Sequence, residues 1–169
     1  MSWQENIFES LLALDVRQVA YVPDAGHIEL IRRANEDERM TAIPLSTEEE
    51  GVAVLAGAWL GGERGVLLMQ SSGVGNCINM FSLVKTCQFP LLVLVTMRGQ
   101  QGESNPWQNP MGSITGEVLS LAGLDVQKIS EPENAGEIVA RLGAQVFAEE
   151  KSAAILIEQK VVGLKKFGD

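Results

Sequence analysis

Apolar positions along this chain come in short runs separated by amphipathic stretches. Ile7, Leu11 and Leu14 fall on one helical face over 4–14. The stretch 16–22 is rich in β-branched and aromatic residues and stops at Pro23, which predicts a strand. A helix with a charged C-terminal end is predicted at 28–35, a short strand at 40–43, and a helix of small apolar residues at 47–60, stopped by Gly61 and Gly62. Further strands are predicted at 65–69, 91–96, 126–129 and 153–157, with helices over about 75–86, 114–122 and 135–147. The run LLVLVT at 91–96 has no polar positions before its last residue, as in a strand buried on both faces, and 126–129 reads as an edge strand. The segment 97–113, MRGQQGESNPWQNPMGS, has no periodicity and reads as a long functional or mobile loop. The tail EQKVVGLKKFGD reads either as a disordered end or as a cover for a neighbour.

Strand and helix alternate six times with short connections. That predicts an α/β fold: a three-layer, doubly wound parallel sheet of about six strands with helices on both faces. The length of 169 residues suits one domain spanning 1–169. In such sheets the loops at the carboxyl ends of the strands form the site. Here those loops are 23–27, 44–48, 70–76 and 97–113, and they hold nearly every polar oddity of the chain.

Composition narrows the classes. The net charge of −9 and the lack of a basic stripe argue against nucleic acid as a partner. No apolar run approaches the ~18 residues of a membrane span, and MSWQENIFE has neither the basic nor the apolar region of a signal peptide. Cys77 and Cys87 lack metal-ligand spacing and read as free, buried thiols in a reducing compartment. A cytoplasmic location is expected.

Three carboxylates, Glu48, Glu49 and Glu50, open the apolar helix at 47–60. Thr47 with Glu50 matches a capping box, and acidic residues suit a first helical turn. Glu48 is less easily assigned to capping. It follows a strand end directly, and the helix body GVAVLAGAWL has no polar face, so that helix is buried in the core or at a subunit interface. A carboxylate at the lip of a dry interface is a candidate for proton transfer. The segment Gln70-Ser-Ser-Gly-Val-Gly-Asn76 reads as a turn packing helix on sheet, or as a loop whose backbone N–H groups approach a ligand. A dinucleotide fingerprint would need a third glycine where Ile78 stands. His27, the sole histidine, lies beside Asp24 in the first strand-end loop, as a site residue or as a surface or capping one. Arg98, just past the fourth strand, either holds an anionic substrate group or pairs with one of the many surface carboxylates. Trp107 reads as an interface anchor or a lid residue.

The stretch TEEEGVAVLAGAWLGGERGVLLMQSSGVGN resembles the pyrimidine-binding domain of thiamine-diphosphate-dependent enzymes. Glu48 stands nine residues before Gly57, and Gln70 to Gly75 matches the family's Ser/Gly loop. The resemblance is closer to the small α subunits of sulfopyruvate decarboxylases and to phosphonopyruvate decarboxylases. It rests on Val22-Pro23, Glu49-Glu50-Gly51, Ala56-Gly57-Ala58, Met69 to Asn76, Pro90-Leu91-Leu92, Arg98-Gly99 and Pro110-Met111-Gly112. The resemblance implies that Glu48 hydrogen-bonds N1′ of the cofactor's aminopyrimidine and promotes loss of the thiazolium C2 proton, before addition to a 2-oxoacid and loss of CO2. It implies cofactor contacts at Glu48, Gln70, Ser72, Gly73, Gly75 and Asn76, and substrate contacts among Asp24, His27, Gln70, Ser71 and Arg98. It also implies a partner. The family holds the diphosphate and Mg2+ on a second domain carrying G-D-G and a later Asn, and no G-D-G occurs here. The chain is therefore expected to be the α subunit of a two-chain 2-oxoacid decarboxylase, inactive alone. Its β subunit would hold the Mg2+, in a hetero-oligomer with two-fold related α chains. The loop Asp24-Ala-Gly-His27 departs from the loop expected of sulfopyruvate enzymes, so the acyl substrate stays open. The competing readings are a thiamine-diphosphate carboligase or lyase subunit acting on another 2-oxoacid or ketone, a non-catalytic Rossmann-like binding module, and a scaffold subunit without a catalytic role.

Overall fold

A computed structural model describes residues 2–163. Six strands form one all-parallel sheet: β1 (Val16–Tyr21), β2 (Thr41–Pro44), β3 (Arg64–Gln70), β4 (Leu91–Thr96), β5 (Asp125–Ile129) and β6 (Ser152–Ile157). Their spatial order is β2-β1-β3-β4-β6-β5. β4 is buried at every position and sits centrally, as its unbroken apolar run requires, whereas β5 is an edge strand.

Helices cover both faces. α1 (Trp3–Ala13), α2 (Ile28–Glu36) and α7 (Ala135–Glu149) pack on one side around Ile7, Leu11, Leu30 and Leu142. α3 (Glu48–Leu60), α4 (Ser71–Cys77), α5 (Phe81–Cys87) and α6 (Asn109–Leu121) pack on the other around Val52, Leu55, Phe81 and Leu119. The first helix opens on a complete capping box between Ser2 and Glu5. At the end of α3 the chain turns through Gly62 at φ 83, a left-handed conformation that a side chain would strain. None of the described helices is long and apolar enough to cross a membrane.

The predicted elements are present with shifted ends, and three local expectations need correction. The stretch read as a Ser/Gly loop is helical from Ser71, and the helix expected over 75–86 is two short ones, α4 and α5. The long loop is shorter than its sequence suggests: a 3₁₀ turn at Pro106–Gln108 runs straight into α6, which begins at Asn109 and not at 114. Pro110 sits in the first turn of α6, where its missing N–H costs no hydrogen bond. Cys87 is exposed, while Cys77 is buried as expected. Of the tail, Gln159–Val162 forms a single helical turn, α8, and 164–169 lies outside the described residues.

Gly112 locks α6 to the end of β4. A Cβ there would overlap the Arg98 carbonyl and lie 2.9 Å from Gly99 Cα, and both obstacles are backbone. Gly112→Ala is expected to destabilise the chain by about 2–3 kcal/mol, the upper range of overpacking, because no flexible side chain is there to yield. Urea unfolding of the variant checks this; a cost under about 0.5 kcal/mol would mean that the contact is slack.

Candidate active site at the carboxyl ends of the strands

Glu48 is the first residue of α3. Gln70 closes β3, and Asn76 lies in the last turn of α4, so the packing of α3 on α4 brings Glu48 and Asn76 together. Asn76 Nδ2 donates to Glu48 Oε2 at 2.8 Å. The Glu48 side chain lies directly on Gly73: a Cβ there would come within 2.5 Å of both Glu48 Cγ and Oε1. Glu48 Oε1 makes no hydrogen bond among the described residues. The glycine-rich segment is therefore the bed of Glu48, which explains a helix in a sequence of low helix propensity: tertiary packing overrides it.

The capping pattern is realised differently from its sequence form. Thr47 is the N-cap of α3 but makes no side-chain cap bond, and Glu50 Oε2 accepts from Ser46 N at 2.8 Å. Glu49 Oε2 is buried and unpartnered.

The candidate substrate residues also come together, as a closed polar cluster. Asp24 Oδ1 accepts from Gln70 Nε2 at 2.6 Å, and Oδ2 accepts from Thr96 Oγ1 at 2.7 Å and Gly26 N at 3.1 Å. Burial pushes the Asp24 carboxyl up, but the Gln70 and Thr96 donors and the Gly26 N–H outweigh it and leave it below its ordinary value. Gln70 Oε1 in turn accepts from Ser72 Oγ and from Gln108 Nε2, both at 3.2 Å. His27 is fully buried, with Nε2 3.3 Å from Met69 O and 3.2 Å from Leu94 O. Both partners are carbonyls, so Nε2 carries the proton and Nδ1 is left bare and unpartnered. Burial lowers the His27 pKa more than Asp24 and the two carbonyls raise it, so the ring is neutral at physiological pH. His27 thus ties the first loop to β3 and β4 and offers no nitrogen at the surface.

Arg98 does not wait for a substrate anion. Its Nε and Nη2 donate to the two oxygens of Glu103 at 2.7 and 2.6 Å, with side-chain exposures of 9% and 2%. Its backbone N–H donates to buried Ser71 Oγ at 3.0 Å, so Ser71 is also inward-facing. Glu103 further accepts from Gly99 N, Asn105 N and Gln159 Nε2. Arg98 does pair with a carboxylate, but with the buried Glu103 and not with a surface one; the guanidinium is neutralised inside the chain.

Sequence reasoning missed Thr96, Glu103, Gln108 and Gln159. Thr96 alone carried a signal, as the one hydroxyl closing an apolar strand. Among the described residues a cavity of about 680 Å3 lies between α6 and the β5–β6 edge and reaches the strand ends at Met97, Gly99, Gln100 and Glu158. At the polar cluster the chain encloses only about 20 Å3, beside Asp24, Thr96 and Arg98.

The outer face of α3 is bare. Ala53 and Gly57 are exposed and Leu60 is 87% exposed; Ile78, Trp107 and Ile114 add apolar surface on the elements of the same sheet face. The apolar all-round sequence of this helix thus buries one side in the core and leaves the other open.

Comparison with known proteins gives the same frame. Residues 1–119 match the family described as "Thiamine pyrophosphate enzyme, N-terminal TPP binding domain". The chain is 33% identical to sulfopyruvate decarboxylase subunit alpha of Methanococcus maripaludis, over 94% of this chain and 95% of that one. It is 35% identical to phosphonopyruvate decarboxylase of Streptomyces viridochromogenes, over 93% of this chain but 40% of that protein. Among solved structures, 2-oxoglutarate:ferredoxin oxidoreductase from Magnetococcus marinus shares the fold, with a TM-score of 0.75 at 10% identity over 96% of this chain and 29% of that one. This chain belongs to the thiamine pyrophosphate enzymes, through their N-terminal TPP binding domain.

Proposed function

We propose that this chain is the α subunit of a two-chain, thiamine-diphosphate-dependent decarboxylase acting on 2-oxoacids of the sulfopyruvate and phosphonopyruvate type. The observation that carries the reading is Glu48, seated on Gly73 with one carboxylate oxygen bound by Asn76 and the other open. That donor set fits the aminopyrimidine end of the cofactor: a ring nitrogen needs one carboxylate partner, and Gly73 gives the Glu48 side chain the room that a Cβ would take. When bound, thiamine diphosphate supplies a nucleophilic carbon for the keto group and an electron sink for the loss of CO2. Glu48 would face the pyrimidine nitrogen with Oε1 and could hold or release a proton there. Ser72, Gly73 and Gly75 line the approach, and the Asp24–Gln70–Gln108 chain gives the substrate side a fixed polar floor.

The diphosphate end lies elsewhere. Among the described residues no group of three His, Cys, Asp or Glu side chains gathers as a metal site. A β subunit carrying G-D-G and a later Asn holds the diphosphate and Mg2+, and it docks on the bare face of α3, completing the site between two chains. Without it the α chain is inactive.

Co-expression with such a β chain, followed by size exclusion in thiamine diphosphate and Mg2+, tests the reading. Co-elution with bound cofactor and release of CO2 from 3-sulfopyruvate or 3-phosphonopyruvate are expected. Leu60→Asp places a charge on the apolar face and is expected to weaken association at least about 100-fold, at about 3 kcal/mol for a buried unpaired charge. A chain that runs alone and cofactor-free beside every such partner would remove the shared-site reading.

A further inference from the structure

The Glu48 carboxylate is held by a residue for which the proposed chemistry has no direct use. Asn76 lies three positions after Gly73, so both face α3 from the same side of α4. The Glu48 side chain runs between them, its Cγ and Oε1 against the Gly73 backbone and its Oε2 2.8 Å from Asn76 Nδ2. Only the amide nitrogen can face a carboxylate oxygen, so the orientation of the Asn76 side chain is fixed by Glu48 itself.

We propose that Asn76 is a positioning residue: it fixes the Glu48 carboxylate so that Oε1, and not Oε2, is presented to the cofactor's pyrimidine nitrogen. This rests on the function proposed above. A free glutamate has three rotatable side-chain bonds and two equivalent oxygens, and few of its rotamers aim a lone pair at one point. Gly73 opens the one position that a Cβ would obstruct, and Asn76 makes the two oxygens inequivalent. An amide suits the task because it orients without charge. A Lys or Arg at position 76 would hold Glu48 ionised and oppose the return of its proton, whereas Asn carries no charge at any working pH. One N–H of its amide is engaged by Glu48, and through that bond Asn76 acts on the carboxylate.

The test uses the heteromeric holo complex and three variants: Glu48→Gln, Asn76→Ala and Asn76→Asp. Thiamine diphosphate affinity is measured by titration calorimetry, and exchange of the bound cofactor's C2 proton for deuterium by quenched-flow NMR. Asn76→Ala is expected to leave Kd within about threefold and to slow C2 exchange about 10–100-fold, the scale on which a misplaced catalytic group loses rate. Asn76→Asp keeps the shape, loses the donor and sets a second carboxylate against Glu48 Oε2, so it is expected to slow exchange at least as much as Asn76→Ala. Native exchange rates in both Asn76 variants, with exchange abolished in Glu48→Gln, would overturn this inference and leave the proposed function standing. A rise in Kd above about 30-fold in Asn76→Ala would also overturn it, making Asn76 a cofactor ligand. Native exchange in Glu48→Gln would remove the proposed function and the inference with it.

Discussion

Glu48→Gln in the assembled, cofactor-loaded complex is expected to lower kcat by about 10³-fold, in the middle of the range for loss of a positioned acid–base group. The substitution is nearly isosteric. A glutamine carbonyl can still accept from Asn76 Nδ2 and still rest on Gly73, so packing is kept and acidity alone is lost. Cofactor binding should change little. Glu50→Gln is the matched control. Glu50 stands two residues away in the same helical turn, but its Oε2 accepts from the Ser46 backbone N–H and its task is to cap α3. Its loss of charge at a helix N-terminus is expected to cost about 0.3–1 kcal/mol in unfolding and to leave kcat within about twofold. Steady-state kinetics of both complexes with a 3-substituted 2-oxoacid decide the matter. Full activity in Glu48→Gln would make this chain a scaffold for a partner that holds the whole catalytic apparatus.

The contrast between these two glutamates shows what a sequence can carry. The alternation of apolar runs and helical stripes was enough for the sheet, because β3, β4 and β6 are buried on both faces over most of their length and have little freedom in composition. Glu48 also stood out, by its place straight after a strand end on an apolar helix and by the resemblance around it. Partners brought in from other elements did not. Thr96, Gln70 and Asp24 meet only because β1, β3 and β4 lie side by side with their carboxyl ends level, and sequence order does not state that neighbourhood. The glycines of 71–77 read as a loop on propensity, yet the segment is helical because the same glycine that weakens the helix admits the Glu48 side chain. Arg98 was ambiguous for a similar reason. A cation after a strand end suits a substrate anion or an internal carboxylate equally well, and only the path of the loop brings Glu103 to it.

That internal pair carries the second large effect, on stability. Glu103→Gln is expected to destabilise the chain by about 3 kcal/mol, the low end for breaking a buried ion pair, because Arg98 is left charged in a nearly closed place. For a chain of this size that is a fall in melting temperature of roughly 6–12 °C. The cost should depend on pH with a definite sign. Hydrogen bonds from Arg98, with those from Gly99 N and Asn105 N, outweigh burial and bring the Glu103 carboxyl from an ordinary value of 4.5 down to about 2. A carboxyl depressed on folding contributes stability that is complete above the unfolded value and is lost as the pH falls towards the folded one. The difference between the native chain and Glu103→Gln should therefore be constant above about pH 5.5 and shrink between about pH 4.5 and pH 2. A double variant separates two accounts of the pair. If its value lay in charge alone, Arg98→Met with Glu103→Leu would restore stability, as apolar replacement of buried ion pairs often does. Glu103 also satisfies two backbone N–H groups and the Gln159 amide, and a leucine would strand all three. The double variant is thus expected to stay at least as unstable as Glu103→Gln. Recovery to within about 1 kcal/mol of the native chain in urea unfolding would show that the loop is held by other contacts and that Glu103 serves only to neutralise Arg98.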